Sequence, residues 1–211
     1  MKRQIAKLVI AFFLVSILAG CSAPKSTVTA VELTEREKQI AALSSDGVAG
    51  VLEFDYTGEV RGALYYIEVR EKEDCLKRER IIYGGASGEK ALYLLMEIDA
   101  DSGLCQWHMR KANENATAKL RTFEQTIPLD EENGWGCSWS FLGGRYNQPV
   151  ELVPGETYTL AEQTFDVSVG RDGVHGDSDY TILLLMDTFA TEEEALAAAD
   201  RMEEEMLADA V

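Results

Sequence analysis

Short apolar–polar alternations, broken every dozen residues or so by glycine, proline or asparagine, run through most of this chain and decide its fold class. A period of two puts successive side chains on opposite faces of a strand. In residues 51–56, Leu52, Phe54 and Tyr56 share one face and Glu53 and Asp55 take the other. The same reading predicts strands over 63–69, 104–110, 116–123, 135–141, 150–153, 157–160, 165–169 and 180–186. Residues 91–98 are apolar on both faces, the pattern of a central strand. Pro154-Gly155 between two strand-like runs reads as a hairpin turn. Strands this short and this closely spaced predict an antiparallel β-sandwich or a barrel-like sheet.

Two segments follow a helical rule instead. Thr34 and Glu37 have the spacing of a capping box, and the short helix after them stops near Ser45-Asp46-Gly47. Thr191 and Glu194 repeat the box, with Ala195, Ala199, Met202 and Met206 recurring at helical spacing behind it. That second helix is expected to lay one face on the sheet. Glu203, Glu204 and Glu205 stand at the wrong end for the helix dipole, so its last turn is expected to fray. The fold class is mainly β (α+β), with a short N-terminal helix and a C-terminal helix packed on the sheet.

The first residues read as an address. Lys2, Arg3 and Lys7 precede an uncharged apolar stretch from Leu8 to Gly20, the layout of an export signal. The stretch falls short of the ~20 residues a membrane-spanning helix needs. It ends Leu18-Ala19-Gly20-Cys21, which resembles the lipobox of bacterial lipoproteins at every position. The resemblance implies cleavage before Cys21, diacylglycerol on its thiol, and an extracytoplasmic protein held to the membrane by fatty-acid chains. Two or more acyl chains make a stable anchor where one does not. On this reading 1–20 is a signal peptide, 21–33 the acylated cysteine with a flexible tether, and 34–211 one globular domain. The resemblance covers twenty-one residues and carries no activity.

Charge narrows the partners. With 37 acidic and 20 basic side chains the net charge is −17, and losing Lys2, Arg3 and Lys7 with the signal takes it to −20. Such a surface repels phosphate backbones and anionic headgroups, which excludes nucleic acid as a partner.

No catalytic set assembles from the sequence. Cys105 and His108 are three apart, so a strand sends them to opposite faces and disables a nucleophile–base or metal reading. With two histidines in the chain, a Cys/His zinc site has no ligand set. Carboxylate pairs such as Glu53 with Asp55, or Asp99 with Asp101, read as solvated sheet face rather than as a glycosidase pair. Cys105 and Cys137 fall on apolar stripes; buried free thiols are the expected state, and these two are the pair a disulfide would join. Cys75 lies in a charged run and reads as solvated.

Two segments offer sites. Trp135, Trp139 and Tyr146 lie in a run rich in glycine and aromatics; exposed, they offer a platform for a sugar ring or a partner's apolar surface, though their even spacing fits a core stripe better. Asp172, Asp177 and Asp179 are hard oxygen ligands in a glycine-bearing loop, calcium chemistry in outline, but without the spacing of an EF-hand; a solvated acidic loop is the plainer reading. The expected function is therefore a lipid-anchored binding or interaction module with a protein or glycan partner and no cofactor. A carbohydrate- or cell-wall-binding module, and an extracytoplasmic hydrolase whose carboxylates converge only in three dimensions, are the alternatives.

Overall fold

A computed structural model describes residues 24–42, 47–85, 89–113, 116–117, 120–129, 135–166 and 179–209. The elements are β1 (Ser26–Val31), α1 (Glu35–Ala42), β2 (Val48–Asp55), β3 (Gly62–Glu71), β4 (Asp74–Gly85), β5 (Glu89–Asp99), β6 (Leu104–Asn113) and β7 (Ala116–Thr117). There follow β8 (Arg121–Thr126), β9 (Gly136–Phe141), β10 (Val150–Leu152), β11 (Thr157–Asp166), β12 (Tyr180–Phe189) and α2 (Glu192–Asp209). They form two antiparallel sheets. One has the order β10-β1-β2-β5-β6-β7, with β8 also paired to β6; the other has the order β4-β3-β12-β11-β9.

The main core lies between the sheets, where Leu52, Trp107, Met109, Phe123, Phe165 and Ile182 meet. A smaller core lies on the outer side of the second sheet, where α2 covers Leu64, Tyr66, Leu183 and Leu185 with Ala199 and Met202. The strands buried on both faces are therefore β3, from Gly62 to Val69, and β12, from Ile182 to Met186. In β5, expected to be the doubly covered strand, Tyr93 is 48% exposed. Two lysines reach across between the sheets: the Lys77 ammonium of β4 stands 4.9 Å over the Phe123 ring of β8, and the Lys111 ammonium of β6 stands 4.5 Å over the Tyr65 ring of β3.

Both capping boxes form. The Thr34 N–H donates to Glu37 Oε2 at 2.8 Å while the Glu37 N–H donates to Thr34 Oγ1 at 3.3 Å. Thr191 and Glu194 exchange the same two bonds at 3.2 Å each. The helix α2 does not stop at its late acids but runs to Asp209. Arg80 of β4 explains part of this: its guanidinium meets Glu203 at 2.9 Å and donates to the Ala199 carbonyl at 3.3 Å, bringing a cation to the helix from the sheet.

Three sequence expectations are corrected. Residues 26–31, read as tether, are strand β1, paired with β2 on one side and β10 on the other. Their Ser/Thr content has a linker's composition, yet Ser26, Val28 and Ala30 face inward with a strict period of two. Strand β4 was absent from the expected list because four of its first six residues are charged. As an edge strand it needs only one partner, and Arg78 and Arg80 are held from its outward face. Finally, 157–160 and 165–169 are not two strands: Thr157–Asp166 is one strand, with a bulge between Thr159 and Ala161, and 167–169 lie outside the described residues.

A buried charge sits at the centre of the second sheet's outer face. Glu68 is 2% exposed and takes both guanidiniums side-on: Arg70 donates Nε and Nη2 to Oε2 at 3.0 and 2.6 Å, and Arg78 donates Nε to Oε1 at 2.8 Å with Nη2 beside it. Burial pushes the Glu68 carboxyl up, but the hydrogen bonds and charges of Arg70 and Arg78 outweigh it and hold its pKa below the usual value.

Candidate functional site

Among the described residues, a cleft of about 370 Å³ lies at one end of the sandwich, lined by Val31, Leu33, Val48, Ala49, Phe141 and Tyr146, with Glu32 and Lys38 beside them. One wall is the exit of β1, the start of β2 and a side chain of α1. The other is the end of β9 and the loop that leads to β10.

A latch around Asn147 holds the walls together. Its N–H donates to the Ala30 carbonyl at 2.8 Å, its Oδ1 accepts from the Glu32 N–H at 3.2 Å, and its Nδ2 donates to Glu32 Oε2 at 3.4 Å. Tyr146 forms a parallel bridge with Ala30. The chain reaches this position through left-handed backbone at Leu142, Gly143 and Gly144 (φ 47°, 61° and 78°) and again at Asn147 (φ 56°). For leucine that conformation costs about 1–2 kcal/mol, and here it accompanies burial of the Leu142 side chain. The Phe141 ring lies directly on the β2 backbone at Gly50, where an added Cβ would come within 2.2 Å of it. Glycine at that position is thus what allows the aromatic wall.

Phe141 and Tyr146 meet edge to face with centroids 6.4 Å apart, and Tyr146 is 39% exposed. At the rim Lys38 is paired with Glu35 at 3.0 Å. The Glu35 hydrogen bond and charge hold the ammonium's pKa above that of a free lysine, helped by the charges of Glu32 and Tyr146. Apolar walls, an open phenol ring and one ion-paired rim suit the capture of a ring or aliphatic group with a polar end. Among the described residues lining it, Glu32 is the one carboxylate.

Of the three aromatics singled out in the sequence, Tyr146 lines this cleft. Trp139 is half-buried against the main core beside Cys137, as the core-stripe reading expects, and Trp135 is half-buried just before β9. Val31, Leu33, Val48, Ala49 and Lys38 were not foreseen, since reading 21–33 as tether removed one wall. The available signal was the period of two in residues 26–31.

His108 and Cys105 do point to opposite faces. Cys105 is fully buried, while His108 lies on the outer side of the first sheet with Nε2 2.9 Å from Glu97 Oε2 and Nδ1 3.1 Å from Thr122 Oγ1. Thr122 is the register partner of His108 on β8, so the row is a cross-strand polar ladder that pairing alone produces.

The three cysteines after Cys21 are free thiols: Cys75 exposed, Cys105 buried, Cys137 half-buried. Cys21 lies outside the described residues, as do Asp172 and Asp177 of the calcium candidate. Asp179 is described, and its backbone is engaged by the sheet, accepting from the Lys72 N–H and donating to the Phe165 carbonyl. Among the described residues no group of three or more His, Cys, Asp or Glu side chains is placed to hold a metal ion, and no helix is long and apolar enough to cross a membrane. Compared with known proteins, the chain matches no family model, no curated protein and no solved structure.

Proposed function

We propose that the chain is an exported, lipid-anchored binding module that takes a small ring-bearing or aliphatic ligand in the cleft between β1–α1–β2 and the β9–β10 loop. The observation that carries this reading is the cleft itself: its volume falls within the range of small-molecule sites, and apolar side chains supply most of its lining. The lipobox-like Leu18-Ala19-Gly20-Cys21 supports the anchor. With β1 beginning at Ser26, only residues 22–25 separate the acylated cysteine from the sheet, a reach of about 14 Å at most. On this reading the domain rides close to the bilayer. The cleft, at the far end of a strand about 20 Å long, opens away from it.

Tyr146 favours one narrower version, in which the ligand is a sugar whose ring lies on the exposed phenol face. Saturation-transfer NMR with indole, p-cresol and N-acetylglucosamine separates the two. At least one probe is expected to receive magnetisation from the wild-type protein and to lose it in Ala49→Trp, which fills the cleft. N-acetylglucosamine alone would select the glycan version. If all three stay silent at millimolar concentration, or bind Ala49→Trp equally well, the cleft is not the binding site.

The anchor has its own test. Cys21→Ser is expected to abolish labelling by a fatty-acid probe and to release the protein from the membrane fraction, and continued labelling would refute the lipid reading.

A further inference from the structure

Resting on the reading of the cleft as a binding site, we propose that its ligand is a small organic cation, an ammonium carried on an aryl or aliphatic body. Two charged side chains line the cleft, Glu32 and Lys38, and their partners differ. Lys38 is paired at 3.0 Å with Glu35, a carboxylate of its own helix. Glu32 is held by a neutral amide: Asn147 donates Nδ2 to its Oε2 at 3.4 Å and accepts from its N–H at 3.2 Å. The lysine thus cancels one of the two acids. The rim is left with one uncompensated negative charge, and that charge lies on a residue lining the cleft.

The chemistry of the walls agrees with that charge. A carboxylate accepts at several lone-pair positions, and the long bond from Asn147 engages one oxygen, so Glu32 keeps capacity for a donor entering the cleft. An ammonium supplies such donors together with its charge, and a charge-assisted hydrogen bond is about twice as strong as a neutral one. Tyr146 adds to the preference, since it is 39% exposed and the face of an aromatic ring attracts a cation. The ligand's apolar body then lies against Val31, Leu33, Val48, Ala49 and Phe141.

An anionic ligand meets the opposite conditions. To use Lys38 it has to displace Glu35, and it does so beside Glu32 and within the field of a chain of net charge −17. The same field draws cations toward the protein and raises their concentration at the cleft mouth. Charge therefore discriminates among ligands whose apolar parts fit equally well.

Three probes with one aromatic body and different ends separate charge from fit: tyramine, p-ethylphenol and p-hydroxyphenylacetate. Each is titrated at neutral pH into isotope-labelled protein, and Kd is read from backbone amide shifts, which also place the ligand. Tyramine is expected to bind more tightly than p-ethylphenol by about two- to five-fold, the range of an exposed ion pair. The acid is expected to bind more weakly than either. Glu32→Gln keeps an oxygen for the Asn147 amide but removes the charge, and the preference for tyramine over p-ethylphenol is expected to disappear. Equal binding of those two probes, tighter binding of the acid, or a tyramine preference that survives Glu32→Gln would overturn the charge assignment and leave the cleft a binding site. Silence from all three at millimolar concentration, or shifts confined to residues away from Val48 and Ala49, would remove the cleft reading itself and the cation with it.

Discussion

Replacing Trp107 with alanine is expected to lower the unfolding free energy by about 3–5 kcal/mol, read as a fall in the urea midpoint at unchanged slope. Trp107 is the largest fully buried side chain and sits on β6, where the first sheet faces the second. Alanine leaves a ring-sized cavity that fixed backbone on both sides cannot fill. It also strips Gln163, itself fully buried, of the donor to its Oε1, and an orphaned buried acceptor costs about 1–3 kcal/mol. Trp107→Phe separates the two effects, since it keeps most of the packing and loses the hydrogen bond. A loss below ~1 kcal/mol for the alanine variant would mean that the sheets do not pack through this residue.

The second large effect is expected at Glu68. Removing one partner of a buried ion pair leaves uncompensated charge, and here two guanidiniums lose the same carboxylate. Arg70 and Arg78 are each about two-fifths exposed (side-chain values 40% and 43%), so both can turn toward water, which puts Glu68→Ala near the low end of the range, at about 3 kcal/mol. Double-mutant cycles with Arg70→Ala and Arg78→Ala are expected to show strong non-additivity. The same group makes stability depend on pH. Its folded pKa lies below the unfolded one, so its contribution is complete above the unfolded value near 4.5 and is lost as pH falls through the folded value. Urea midpoints between pH 6 and pH 3 should therefore fall more for wild type than for Glu68→Ala. Parallel curves would show that the carboxylate is not held by its arginines.

How legible the fold was depended on where each strand sits. Residues 63–69, 104–110 and 180–186 could be read because they face a core on at least one side, and a buried face imposes its period on the sequence. Strand β4 could not. At a sheet edge half its backbone and most of its side chains meet water, so selection for apolar residues is weak, and Glu68 and Glu203 hold its arginines instead. β1 failed for a different reason. Ser26, Thr27 and Thr29 are polar enough for a linker, and only pairing with β2 and β10 makes them a strand. That misreading hid the cleft, because Val31 and Leu33 form one of its walls. Of the aromatic segment, Tyr146 reached the site while Trp139 kept to the core, a division set by the left-handed turn at Leu142–Gly144 between them.

The sequence by itself determined the class of the fold, the two capped helices and the inward stripes of Cys105, Trp107, Cys137 and Trp139. All of these follow from local rules: a period of two or 3.6, and a hydroxyl three residues before a carboxylate. Which strands are covered on both faces, where Glu68 finds its arginines, and that residues 26–33 meet residues 141–147 to form a cleft were decided by tertiary structure alone. Each depends on groups far apart in the chain, and neither periodicity nor propensity acts over that distance; packing and strand register do.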